Sequence, residues 1–361
     1  MVALVSDGRR TVRVAGGSAR LKPQQPMQVN DRFRIASLTK TFVAAVVAQL
    51  AGEAKLTFED TVERWLPGTI PNGQNITLRQ LLDHRSGLFD YSKDPQVTAP
   101  YLQGNFAFAW TPGQLIAIAN AHPPLFPPGT RTSYSNTNFI VLGQIIQAVT
   151  GRPVQTELRE RLFKPLKLRS TFYATGQRIP GPHAHGYFMP RPGTLQDTTD
   201  VSPTHAGAAG AIVSTAADVA RFYRALFSGR VVRPDLVREM QTIKDGWGLD
   251  LHTSPSRCGV RLGHDGAIPG YNSTAMNTGD GQRQLVLLAN SLTPDDKVGD
   301  AKAQRHDRGL AASGSITPKT TEAPQMRSFC SRRRRDSNPS TRLCRPLRSH
   351  SATSPSSSRA V

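Results

Sequence analysis

The chain is predicted to adopt an α+β fold in which an antiparallel sheet, built from both chain ends, carries helices against it. Three observations predict it. Strand-like segments open the chain, helices and loops follow from Ser37 to about Leu226, and strand signals return from Trp247 to Ala289. Pairing the two ends is the simplest way to close such a sheet.

The elements follow in order. Val2 to Val5, ahead of the Ser6-Asp7-Gly8 turn, and Thr11 to Ala15 are expected as strands. Leu38 to about Gly52 is rich in good helix formers with apolar side chains on nearly every face, which predicts a helix buried inside the domain. Pro127 to Asn136 is a turn-rich loop; Thr137 to Val149 is apolar-periodic and predicts a helix that stops at Gly151. Arg261 to Tyr271 leads into a hairpin of Asn272 to Asn277, a Gly279-Asp280-Gly281 turn, and Gln284 to Ala289, which puts His264 and Gly266 on or beside an edge strand.

Chemistry enters with Ser37-Leu38-Thr39-Lys40. Ser37 falls at the N-cap of the first long helix, and Lys40, three residues on, lies on the same face, so its amine reaches the Ser37 hydroxyl. An ammonium near the positive end of a helix and among apolar neighbours is disfavoured, and a neutral lysine accepts the serine proton. A tetrad of this kind arises about once by chance in a chain this long, so it needs partners. A Tyr134-x-Asn136 pair at the mouth of the second long helix and the His264-Asp265-Gly266 block supply them, in that order.

These three blocks resemble the serine hydrolase family that holds class C β-lactamases, D-alanyl-D-alanine carboxypeptidases, D-amino-acid peptidases and related esterases. The resemblance runs from about Val2 to Thr293 and includes Ile76 to Leu88 and Gly210 to Asp218. It implies a β-lactamase/transpeptidase-like fold over residues 1–300, with an inserted, mainly helical subdomain at about 60–205. It also implies Ser37 as nucleophile, Lys40 and Tyr134 as the groups that move its proton, and Asn136 as a group holding the acyl side chain. His264, Asp265, Gly266 and Ala267 would line the substrate, with the backbone N–H groups of Ser37 and Ala267 as oxyanion donors. Gly266 would let the strand backbone approach the substrate closely. No cofactor and no metal is required.

Asp265 departs from the family pattern. Relatives that bind a substrate carboxylate carry a threonine there. An aspartate would oppose that carboxylate by about 4 kcal/mol at ~4 Å and an effective dielectric near 20, unless a cation such as Arg261 offsets it. Alternatively, strand alternation turns Asp265 away from the cleft. The expected reaction is therefore acyl transfer from a peptide, amide or ester, of the D-alanyl-D-alanine carboxypeptidase or β-lactamase kind. The alternatives are an esterase or D-amino-acid peptidase that needs no substrate carboxylate, or an inactive penicillin-binding-like protein with an anion-binding tail.

Other features carry less. His183 and His185 lie in a Pro/Gly-rich loop with no matching carboxylate or thiol block, and Asp83 and His84 are expected to satisfy turn backbone groups. Tyr101, Phe106, Phe108 and Trp110 either line the acyl pocket or pack locally between helices. Residues 301–316 are expected as a degraded final helix and 317–361 as a disordered Ser/Arg/Pro-rich tail. From Ala301 on, 13 Lys+Arg stand against 3 Asp+Glu, which is +10 of the net +19. With the basic charge gathered there, nucleic acid is not the expected partner, and the resemblance implies a small-molecule or peptidoglycan-peptide substrate. Cys258, Cys330 and Cys344 form no disulfide framework. The resemblance implies an extracytoplasmic protein, although Met1 to Val5 is too short for a signal-peptide core, and no membrane span is expected. Oligomeric state is left open. With neither a leading nor a full final helix over the sheet, Leu4, Leu285 and Leu287 are expected to be partly exposed.

Overall fold

The computed structural model describes residues 1–189, 193–256 and 259–292. The expected final helix, the basic tail and all three cysteines lie outside them.

The main sheet is antiparallel and six-stranded. Its strands are β1 (Val2–Ser6), β2 (Thr11–Ala15), β3 (His252–Ser256), β4 (Gly259–Ile268), β5 (Tyr271–Asn277) and β6 (Gln284–Ala289), in the spatial order β3-β4-β5-β6-β1-β2. The two chain ends meet where β1 pairs with β6, Val2 opposite Leu288 and Ser6 opposite Gln284. Hydrogen bonding between ends this far apart in sequence makes the sheet one unit.

Three long helices pack around the sheet and the site: α1 (Leu38–Gly52), α2 (Asn136–Thr150) and α3 (Ala216–Phe227). Helix α1 is almost wholly buried, as its all-round apolar pattern requires. Its two buried threonines are bonded: Thr39 Oγ1 accepts the Ile212 N–H at 3.0 Å, and Thr41 Oγ1 meets the Tyr223 hydroxyl at 3.0 Å. Phe42 stacks on Phe222 of α3 at 3.6 Å and meets Phe163 edge-on at 6.0 Å. Phe42→Ala is therefore expected to lower the unfolding free energy by about 3–5 kcal/mol, read from urea unfolding. Helix α2 ends at Gly151 in the left-handed conformation (φ 69°), which glycine adopts without a Cβ penalty.

The sheet alternates between two faces. Val2, Leu4, Val286 and Leu288 are buried on the face that packs against α3. Ser6 and Gln284 interrupt that apolar row but are bonded to α3: Arg224 Nη2 donates to Ser6 Oγ at 2.8 Å, and Gln284 Nε2 donates to the Ala220 carbonyl at 2.8 Å. Leu4 is thus only 3% exposed, against expectation, because its register puts it on the helix side; Leu285 and Leu287, on the other face, are half-buried.

The hairpin and Gly266 strand form as expected, with one addition. Strand β3 pairs along β4 from Gly259 to Gly263, so the first half of β4 is an interior strand. From His264 onward no described strand pairs with its outer side, and this free half faces the start of α1.

Candidate active site

The turn that starts α1 is built by a small three-stranded sheet. Phe33–Arg34 pairs antiparallel with Ile212–Ser214, and the Ile35 N–H continues the ladder to the Ile212 carbonyl at 3.0 Å. Ala36 then takes a left-handed φ of 46°, and Ser37 follows at the N-cap. A buried, non-glycine residue in that region holds about 1–3 kcal/mol of strain, which the surrounding packing must impose. The effect is to leave the Ser37 side chain uncommitted to capping: Ser37 makes no cap hydrogen bond, and its Oγ turns toward Lys40 and Tyr134.

Lys40 is fully buried and has three neighbours, Ser37 Oγ at 2.9 Å, Asn136 Oδ1 at 2.8 Å and the Ala209 carbonyl at 2.7 Å. Two of the three can only accept. A neutral amine has two hydrogens and one lone pair, so it matches this set when it donates to Asn136 and Ala209 and accepts from the Ser37 hydroxyl. Burial lowers the Lys40 pKa to about 7, against the opposing pull of Asp250 and Asp90. Tyr134 donates its hydroxyl to Ser37 Oγ at 2.8 Å; burial holds this phenol well above its ordinary pKa, so it stays protonated near neutrality.

Asn136, the first residue of α2, is committed on both sides. Its Nδ2 donates to both Asp90 oxygens, at 3.2 and 3.1 Å, and to Ser92 Oγ at 3.0 Å, while its Oδ1 faces Lys40. Because a carboxylate only accepts, Asp90 fixes which amide atom meets the lysine. Asn136 therefore orients Lys40 as much as it borders the cleft.

Across from Ser37, β4 comes very close. A Cβ added at Gly266 would lie 2.8 Å from Ser37 N and 2.7 Å from the Ile35 carbonyl oxygen, so only glycine fits there. Ala267 next to it is exposed. His264 is buried behind Tyr134, with ring centroids 6.1 Å apart. Asp265 leaves β4 on the opposite face from His264 and Gly266. Its carboxylate accepts the Thr274 hydroxyl at 2.7 Å and lies 3.2 Å from His252 Nε2. Ser37, Lys40, Tyr134, Asn136, His264 and Gly266 thus converge, while the Asp265 carboxylate is engaged across the strand.

Several neighbours had no sequence signal. His84 packs on Tyr134 at 4.5 Å, with Trp247 5.8 Å from the same ring, and Asp250 lies behind them. His84 was expected only to serve a turn; it does accept the Ser135 N–H at 3.3 Å, yet its ring also walls the site. Its backbone carbonyl accepts the Ser133 N–H at 2.9 Å. The histidines of the Pro/Gly-rich loop stack on each other at 5.3 Å, His183 bonded to the Gly181 carbonyl and His185 to Asp197. Phe108 and Trp110 pack edge-on at 4.9 Å, and the Tyr101 hydroxyl donates to the Phe108 carbonyl at 3.2 Å, a local arrangement. Among the described residues no helix is long and apolar enough to cross a membrane.

A family model described as Beta-lactamase matches residues 1–309. The chain is similar to the solved structure of a D-stereospecific amidohydrolase from Streptomyces sp., at 37% identity and a TM-score of 0.76, over 86% of this chain and 94% of that one. It is also similar to the D-amino acid amidase from Ochrobactrum anthropi SV3 complexed with L-phenylalanine amide, at 29% identity and a TM-score of 0.73, over 81% and 87% of the two chains. Penicillin-binding protein 4* of Bacillus subtilis (strain 168) is 28% identical over 305 residues, 76% of this chain and 64% of that protein. The chain thus spans less than two thirds of the length of the first curated relatives it matches.

Proposed function

Because the chain belongs to the beta-lactamase family over residues 1–309, we propose that it is a serine hydrolase that opens amide bonds through an acyl-enzyme on Ser37. The observation that carries this is the fully buried Lys40, bonded to two obligate acceptors and to Ser37 Oγ, whose neutral form, favoured by burial, keeps its lone pair for the Ser37 hydroxyl. In the acylation step Ser37 Oγ attacks the carbonyl carbon and its proton passes to Lys40 Nζ. The tetrahedral oxyanion is met by the backbone N–H groups of Ser37 and Ala267. As the C–N bond breaks, Tyr134 gives its hydroxyl hydrogen to the departing nitrogen, which leaves as an amine, and the Lys40 ammonium returns a proton to the phenol. Water then attacks the ester, gives its proton back along the same path to Ser37 Oγ, and releases the acid.

The substrate class we propose is the amide of a D-amino acid or a peptide with a D-residue on its acyl side. Of the similar solved structures, one is named a D-stereospecific amidohydrolase and another a D-amino acid amidase. The Asp265 side chain also supports this, since it is held by Thr274 and His252 on the other face of β4 and offers no hydroxyl to a terminal carboxylate. Esterase, carboxypeptidase and β-lactam-cleaving activities are the competing assignments. The test compares release of ammonia from D- and L-phenylalanine amide, with a peptide ending in D-alanyl-D-alanine and a chromogenic cephalosporin alongside. D-amide turnover that disappears in Ser37→Ala is expected. Faster cleavage of the D-alanyl-D-alanine peptide, or turnover that survives in Ser37→Ala, would overturn the assignment.

A further inference from the structure

Behind Tyr134 lies a buried cluster that acyl transfer through Ser37, Lys40 and Tyr134 does not use. His84, Asp250 and His264 are 0%, 0% and 3% exposed, and one polar atom of each lies within 4.8 Å of the others. His84 Nε2, both Asp250 oxygens and His264 Nε2 are buried without a well-formed hydrogen bond, and His264 Nε2 faces Asp250 Oδ1 at 3.4 Å.

The bonds around the cluster fix where its protons sit. Ser86 Oγ accepts the Leu88 N–H at 3.1 Å, so its own hydrogen goes to Asn138 Oδ1 at 2.6 Å. Asn138 Nδ2 and the Ser135 N–H, both at 3.3 Å, then donate to His84 Nδ1. That nitrogen is therefore the lone-pair one, and the His84 proton is on Nε2, pointing into the cluster. A nitrogen that carries hydrogen is not a metal ligand, so the three residues do not make a metal centre despite their spacing. On the far side, His264 Nδ1 donates to the Asp265 carbonyl. His264 Nε2 and the Asp250 carboxylate would then be two acceptors facing each other in a water-free core, an arrangement that burial strongly disfavours.

We propose that a proton is held between His264 Nε2 and Asp250 Oδ1, and that Asp250 is thereby a positioning residue that keeps a doubly protonated His264 ring beside Tyr134. The other titratable groups facing His264 are Tyr134 and His252, with ring centroids at 6.1 and 5.7 Å. A positive ring there stabilises the phenol oxygen of Tyr134 as it passes its hydrogen on, an effect on rate that rests on the acyl-enzyme reading; the proton inventory does not.

Nuclear magnetic resonance of the full chain, labelled with 15N-histidine, tests the proposal. Two ring N–H signals from His264 are expected in the native protein. In Asp250→Asn the carboxamide donates to Nε2, so only the Nδ1–H signal remains, and kcat falls about 10–100-fold with KM little changed. Adding His264→Lys, whose ammonium needs no carboxylate to carry its charge, should recover part of kcat in the Asp250→Asn background. A single His264 N–H signal in the native protein, an unaltered spectrum in Asp250→Asn, or a stoichiometric metal by elemental analysis would overturn the proposal. Two signals in a protein with no amide turnover would support it and count against the amidase reading instead.

Discussion

Replacing Lys40 by methionine is expected to slow acylation of Ser37 by about 10²–10⁴-fold, the range ascribed to a positioned general base. Methionine keeps most of the side-chain volume in this fully buried site but removes the group that takes the serine proton. The Tyr134 phenol does not replace it, because burial holds that group well above its ordinary pKa and leaves it a donor near neutrality. The same geometry sets the pH profile. Burial favours the neutral amine, so Lys40, with a pKa near 7, is a protonated and inactive base below that value and a free base above it. Acylation should therefore rise with pH through about 7 and then level. Single-turnover rates in Lys40→Met that keep the native pH profile and magnitude would show that another group is the base.

Gly266→Ala is expected to reduce kcat/KM by about 10²–10³-fold, comparable to loss of one oxyanion donor. The added methyl would sit 2.6 Å from Ser273 Oγ, 2.7 Å from the Ile35 carbonyl oxygen and 2.8 Å from Ser37 N. Two of these are backbone atoms in the strained turn around Ala36, so β4 has to move away from Ser37. The displaced strand would carry the Ala267 N–H out of place. Unfolding free energy should also fall, by about 1–3 kcal/mol as in other overpacked cores. Full activity in Gly266→Ala, with unchanged unfolding, would mean that β4 does not press on the nucleophile's turn.

Local pattern carried the long elements. Helix α1 spans the residues its apolar run predicts, α2 stops at Gly151, and the β5–β6 hairpin falls where its glycine turn directs. What sequence pattern did not reveal is set by contacts between distant segments. Asp250 is tied to the His84 loop through its N–H to the Leu82 carbonyl at 2.9 Å, a link across the length of the chain that no periodicity encodes. Asp90 was likewise invisible, because its role is to orient the Asn136 amide rather than to complete a motif. The left-handed Ala36 gave no warning either, since alanine rarely adopts that conformation and only the flanking strand and helix force it. Leu4 was assigned to the wrong face because alternation alone does not say which side of a sheet the helices cover.

The most direct measurement is peptide mapping by mass spectrometry after a chemical quench, with the wild-type chain mixed with an activated D-phenylalanine ester. One acyl group is predicted, located on Ser37 within the Phe33–Lys40 segment, that accumulates early and then decays as free acid appears. Turnover of the ester with no label on that segment, or a label that persists in Ser37→Ala, would contradict the acyl-enzyme mechanism.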